Sequence, residues 1–187
     1  NKKIRLALLG QTHVHPAQHP VSDSDQSRLQ VPGRSPIVDL FLVSHSQGDG
    51  QTFRLAPLSE CHAGQVNQGW GFGGNEHSLR YIQRCIRHFP SFSATDSDGN
   101  PVSWVVTEQS SEYRMGFTVP ERRNTGIWKQ VLVLITQPPF RILEHAPIYG
   151  HVAEGNEASK RATMGAGFHI APGNWYQWTC HPITSPL

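Results

Sequence analysis

Residues 112–130 read Glu112-Tyr-Arg-Met-Gly-Phe-Thr-Val-Pro-Glu-Arg-Arg123-Asn-Thr-Gly126-Ile-Trp-Lys-Gln130. The first part, Glu112 to Val119, mixes β-branched and aromatic residues and predicts a strand. Pro120 has no N–H for a sheet ladder and ends it. Arg123, Asn124, Thr125 and Gly126 then form a turn before the apolar run Ile127 to Ile135, which predicts a helix. The first N–H groups of a helix lack partners inside it, and the helix dipole makes that end positive, so such a turn suits phosphate. Arg123 adds a charge-assisted donor, and Gly126 lets a ligand come close to the backbone. The stretch therefore offers a carboxylate, Glu112, on a strand and a diphosphate cradle beyond the strand's end. By alternation Glu112, Arg114 and Gly116 share one face, with Tyr113 and Met115 on the other. R-x-x-G is short and common, and Glu112 by itself reads as a solvated strand residue sooner than as a base, so the rest of the chain has to decide.

The chain has 187 residues, enough for one domain with a sizeable core. Lys and Arg number 16 against 14 Asp and Glu, a net charge of +2. That bias is too small to argue for nucleic acid or an anionic membrane as partner. No apolar stretch approaches the roughly 20 residues of a membrane span. Cys61, Cys85 and Cys180 are scattered and odd in number, which favours reduced thiols in an intracellular compartment over a disulfide framework. The chain starts at Asn1 with no initiator Met and reads as a fragment or a processed product.

Residues 1–52 read as an irregular and largely flexible N-terminal segment, and residues 53–187 as the folded domain. Gln11 to Ser35 is rich in His, Pro, Ser, Gln and Asp, too polar to order itself. Within it, His13, His15 and His19 have alternate spacing that suits a metal, but no cluster of Asp, Glu and Cys supplies the missing ligands, and no metal site is assigned. Ile37 to Val43 predicts a buried strand. Then Phe53 to Leu58 predicts a strand, Glu60 to Trp70 a helix, Gly69 to Gly74 a glycine-rich turn, and Leu79, Ile82, Ile86 and Phe89 a second amphipathic helix stopped by Pro90. Ser91–Thr95 and Val102–Glu108 form a hairpin across Asp98-Gly99-Asn100-Pro101, and Glu112–Val119 completes a meander. A strand at Pro147–Val152, a helix at Glu157–Met164, and strands at Phe168–Ile170 and Trp175–Cys180 follow. This order predicts an α+β fold around one mixed, mostly antiparallel sheet flanked by helices.

The same residues carry a resemblance. Phe72-Gly-Gly-Asn-Glu76 with Arg80 and Arg84-Cys85-Ile86 comes first, then Pro101-Val-Ser-Trp104, Glu112-x-Arg114-Met115 and Pro120-Glu-x-Arg123-x-x-Gly126. After these stand His151-Val152, Asn156-Glu157-Ala158 and Trp175-x-Gln177-Trp178-x-Cys180. About seven stretches in order over some 130 residues are far more specific than any one. The span from Phe53 to Pro182 resembles the C-terminal catalytic domain of the glycine N-acyltransferases, which has the N-acetyltransferase superfamily fold.

The resemblance implies transfer of an acyl group from acyl-coenzyme A to the amine of glycine or another small amino acid, glutamine included. Glu112 matches the general base that takes the proton from the acceptor amine. The backbone from Arg123 to Trp128, through Asn124, Thr125, Gly126 and Ile127, matches the pyrophosphate site. Asn156 lies beside the pantetheine arm. Arg114, on the face of Glu112, is a candidate either to hold the acceptor's carboxylate or to pair with the base. Residues 157–167 lack the Tyr that many superfamily members use, so the thiolate leaves unaided or with help from Tyr149. The resemblance further implies acyl-coenzyme A as a co-substrate with no permanently bound cofactor, a monomer, and a mitochondrial location, with the cytoplasm as the alternative. Trp128 stands where the superfamily pattern has a small residue. Pro138-Pro139 falls where the family helix continues, so that helix should end near Thr136. The alternative reading is a truncated, catalytically inactive relative that binds coenzyme A.

Overall fold

The computed structural model describes residues 3–8, 44–46, 52–136 and 148–172. Its strands are β1 (Lys3–Leu8), β2 (Ser44–Ser46), β3 (Thr52–Ala56), β4 (Ser91–Thr95), β5 (Pro101–Thr107), β6 (Glu112–Thr118), β7 (Ile148–Ala153) and β8 (His169–Ile170). Its helices are α1 (Ala63–Gly69, after a 3-10 turn at Glu60–His62), α2 (Glu76–His88), α3 (Ile127–Ile135) and α4 (Glu157–Gly165). The strands form one sheet in the order β2-β3-β4-β5-β6-β7-β1-β8. Every neighbouring pair is antiparallel except β6 and β7, which run parallel. The fold is α+β, as the order of predicted elements requires.

The meander β4-β5-β6 forms because its first turn is chemically specified. Asp96 Oδ1 accepts from the backbone N–H of Asp98 and Asn100, and Gly99 takes φ 85°, a conformation that costs glycine little. In α2 the Asn75 side chain accepts from the Ser78 N–H and the Ser78 hydroxyl accepts from the Asn75 N–H, a reciprocal cap. The helix buries Ile82, Cys85 and Ile86 and gives way at Phe89, which is extended because Pro90 follows. The apolar α3 buries Ile127, Val131, Leu132 and Ile135. The Tyr113 hydroxyl donates to the Ile135 carbonyl at 2.8 Å, meeting one of the acceptors a helix end leaves without a partner.

Helices cover both faces of the sheet. One core joins α3 to Phe92, Ala94, Val105, Tyr113 and Phe168. The other joins α1 and α2 to Trp104, Val106 and Met115. Here the alternation expected along β6 fails. Tyr113 and Met115 belong to opposite cores. The reason is a bulge: Trp104 pairs with Phe117 and Val106 with Arg114, so Met115 and Gly116 together oppose Val105. Met115 takes φ 56°, which turns its side chain to the α1–α2 face.

Two strands come from the part of the chain read as irregular. β1 pairs along its whole length with β7 and also with β8, and β2 pairs with β3. The strand expected at 37–43, the three histidines at 13–19, the bridge at 137–146 with Pro138-Pro139, and the tail strand at 175–180 lie outside the described residues. Among the described residues no helix is long and apolar enough to cross a membrane.

Candidate active site

β6 and β7 lie side by side only at Glu112 with Tyr149 and Tyr113 with Gly150. Past that point the bulge bends β6 away, and the two strands part. The gap is a cleft of about 230 Å³. Its walls are Tyr113 to Gly116 of β6 and Gly150 to Ala153 of β7. Trp70 from the turn after α1, Trp128 and Leu132 from α3, and Asn156 and Ser159 from the start of α4 complete it. A cleft opened between parallel strands presents backbone N–H groups that the ladder no longer uses, the kind of donor that meets an oxyanion.

Beside the cleft stands a chain of charged groups. Glu112 Oε1 lies 2.8 Å from His151 Nδ1 and 3.8 Å from Arg114 Nε. Arg114 Nη1 donates to Glu108 Oε2 at 2.9 Å, and its guanidinium lies 5.8 Å from the centre of the Trp70 ring. Glu108 also accepts from the Tyr81 hydroxyl and, at 2.7 Å, from Ser110. Burial pushes the Glu108 carboxyl up, but the bonds from Tyr81, Ser110 and Arg114 outweigh it and hold it below the ordinary carboxylate value. Burial pulls the Arg114 guanidinium down, and the Glu112 and Glu108 carboxylates more than reverse that. The Tyr81 hydroxyl is pushed up, first by burial and then by its bond to Glu108. Arg114 is thus held between two carboxylates, which stiffens it and absorbs much of the charge it would offer to an acceptor's carboxylate.

The turn before α3 has the expected shape. Asn124 and Gly126 take φ 63° and 80°, and the Thr125 hydroxyl donates to the Arg122 carbonyl at 2.7 Å. Gly126 caps α3 without any side-chain bond, whereas Asn75 and Asn156 cap α2 and α4 with their side chains. Gly126 thus offers no side chain of its own to the first N–H groups of α3. Arg123 folds back on β6: its Nε donates to the Thr118 carbonyl at 3.1 Å, with the guanidinium 5.5 Å from the Phe117 ring centre. Ile127 is buried in the core, so only its backbone serves the turn. Trp128 reaches the cleft and lies across β6 at Gly116, where an added Cβ would come within 2.3 Å of its ring. A large residue at 128 is accommodated because 116 has no side chain.

The structure thus brings Arg114, Trp128 and Asn156 onto one cleft. Glu112 stands behind it, bonded to His151, which does line it. Tyr149 is not among the lining residues; its hydroxyl donates to Ser110 Oγ at 3.0 Å. His151 and Glu108 were not singled out from the sequence. His151 stands within the quoted pair His151-Val152, but its nearness to Glu112 depends on the β6–β7 pairing, which no local pattern announces.

The family model described as aralkyl acyl-CoA:amino acid N-acyltransferase matches residues 11–90, and that of the family's C-terminal region matches residues 92–182. The chain belongs to the glycine N-acyltransferase family. The first match takes in residues 11–52, which the motifs quoted from the sequence did not reach. Among relatives, the human glycine N-acyltransferase-like protein 2 is 38% identical over 89% of this chain and 52% of its own length. The bovine glycine N-acyltransferase is 38% identical over 72% of this chain and 45% of its own. The chain spans about half the length of these curated relatives. A solved Drosophila protein superposes with a TM-score of 0.61 at 18% identity, covering 90% of this chain and 47% of that one. An N-acetyltransferase solved with the bisubstrate analogue CoA-S-monomethyl-acetylneamine superposes at 0.52 and 17% identity, covering 68% and 99%. These likenesses establish the N-acetyltransferase fold that the family resemblance implied.

Proposed function

We propose that this chain transfers an acyl group from acyl-coenzyme A to the amine of glycine or another small amino acid, glutamine included. The observation that carries the reading is the cleft between β6 and β7. It has the Glu112–His151 pair on one side and the glycine-capped start of α3 near the other. The pyrophosphate of coenzyme A sits on the backbone of residues 123–128, with Arg123 turning outward from Thr118 to meet it. Pantetheine runs past Asn156 toward the bulge. The tetrahedral oxyanion is met by β6 N–H groups at Met115 and Gly116. The acceptor arrives as an ammonium and must lose a proton before it attacks; that proton leaves toward Glu112. Acyl-coenzyme A is a co-substrate and stays no longer than a turnover. A monomer in the mitochondrion is part of the same proposal.

The test is release of free thiol from benzoyl- or long-chain acyl-coenzyme A, with and without glycine, and with glutamine in parallel. The expected result is thiol release that depends on the amino acid. Binding of coenzyme A without turnover supports the alternative, an inactive coenzyme A-binding relative. Neither binding nor turnover overturns both.

A further inference from the structure

Two carboxylates compete for one guanidinium beside the cleft. Arg114 Nη1 donates to Glu108 Oε2 at 2.9 Å, whereas Arg114 Nε stands 3.8 Å from Glu112 Oε1. The nearer partner has the hydrogen bond, and the farther one feels only the charge. We propose that Glu108 is a positioning residue: it holds Arg114 off Glu112 and so keeps Glu112 able to take the acceptor's proton. The inference rests on the acyltransferase reading with Glu112 as base, and deepens it.

Glu108 is itself fixed. Its Oε2 also accepts from the Tyr81 hydroxyl of α2, and its Oε1 accepts from Ser110 Oγ at 2.7 Å. Both oxygens are engaged, so the carboxylate does not turn from Arg114 without breaking bonds. Trp70 lies on another side of the guanidinium, 5.8 Å from its ring centre, and packs in turn on Tyr81 with centroids 6.2 Å apart. The Glu108 and Glu112 side chains are only 16% and 14% exposed, so water screens these charges weakly.

What Glu108 prevents follows from the same distances. Arg114 stands two residues along β6 from Glu112, and a move of about 1 Å would bring its Nε into a charge-assisted bond, with the planar fork able to offer a second donor. An opposite charge that close favours the ionised carboxylate, and a carboxylate so held is a poor proton acceptor. The reaction needs the reverse: one proton passes from the acceptor ammonium to a Glu112 oxygen, leaving a neutral amine whose lone pair attacks the thioester carbon. Other titratable neighbours come from β7 and α2. On β7, Tyr149 is the register partner of Glu112, and His151 Nδ1 lies 2.8 Å from Glu112 Oε1. On α2, Tyr81 and Cys85 lie on the far side of Glu108. On β1, Arg5 is the register partner of His151. His151 carries charge only when protonated, whereas Arg114 carries it at every working pH.

The experiment measures kcat against pH at saturating benzoyl-coenzyme A and glycine for wild type, Glu108→Gln, Arg114→Gln and the double variant. Coenzyme A affinity by calorimetry shows whether each is folded. Glu108→Gln should lower the plateau several-fold and move the acid limb of the profile down by about one pH unit, because Arg114 then closes on the base. Arg114→Gln should move the acid limb up. The double variant should keep the limb where Arg114→Gln alone puts it, because Glu108 acts through Arg114. Lost turnover in Glu108→Gln with an unmoved acid limb makes Glu108 a scaffold residue and overturns the inference. An equal downward move with and without Arg114 overturns it too, since the Glu108 charge would then act on its own. Should Glu108→Gln not bind coenzyme A, Arg114→Gln decides: an unmoved limb there means that Arg114 does not govern the base. Wild type that releases no thiol with any amino acid overturns the acyltransferase reading itself, a result distinct from an active enzyme with an unmoved limb.

Discussion

At the residue scale, the proposed role of Glu112 as base makes its carboxylate matter only while the acceptor amine carries its proton. Glu112→Gln keeps the shape and can still bond to His151, but it cannot take up a proton. The expected effect is a loss of about 10²–10⁴-fold in kcat at neutral pH, shrinking at alkaline pH where free amine is abundant. A pH–rate series decides it; an equal loss at every pH makes Glu112 a scaffold residue only. Glu108 makes a different prediction, about stability. Its folded carboxyl is held below the ordinary value of about 4.3, so the unfolded chain takes up that proton first as pH falls. The stabilisation is therefore complete above the ordinary value and is lost as pH falls through the folded one. Thermal melts of Glu108→Gln should show lower stability than wild type near neutrality and a smaller further drop in acid. Glu112 and Arg114 were legible as same-face neighbours from strand alternation alone, and they do meet. His151 and Glu108 were not, because one arrives from a strand 39 residues away and the other from the end of the preceding strand.

At the element scale, the bulge in β6 and the turn before α3 shape the cleft together. Gly116→Ala would drive a Cβ into the Trp128 ring, so the indole must swing off the strand. Overpacking of this kind costs about 1–3 kcal/mol. Coenzyme A affinity should fall alongside the melting temperature; a melt and a calorimetric titration on the same sample check both. Arg123→Ala removes a charge-assisted donor and should weaken coenzyme A binding by about 1–3 kcal/mol, measured by calorimetry. Unchanged affinity would remove Arg123 from the cradle. The hairpin β4–β5 could be read from Asp98-Gly99-Asn100-Pro101, because the turn is specified by local chemistry. The α3 boundary could be read from Gly126 and the apolar run. The bulge could not: Met115 is an ordinary strand residue by composition, and its positive φ is imposed by packing between two cores.

At the scale of the whole molecule, the sheet continues past β7 into β1 and β8. Nothing local in Lys3 to Leu8 distinguishes a sheet strand from a short apolar stretch, because the pairing partner lies some 145 residues away in sequence, at Ile148–Ala153. Removing residues 1–8 would open the edge of the strand that carries His151 and leave β8 without its neighbour. The expected cost is about 2 kcal/mol or more, a fall of roughly 4–8 °C in melting temperature for a chain of this size. A melt identical to that of the full chain would show that β1 adds nothing to the fold.

The central claim is that acyl-coenzyme A occupies the cleft between β6 and β7 and rests its pyrophosphate on the start of α3. Amide hydrogen exchange with and without coenzyme A tests it most directly, because it reports on the backbone groups proposed to hold the ligand. The account predicts new protection at residues 126–130 and at Met115 and Gly116, with little change along α2. Saturable binding with protection elsewhere, and none at the start of α3 or the bulge, would contradict it.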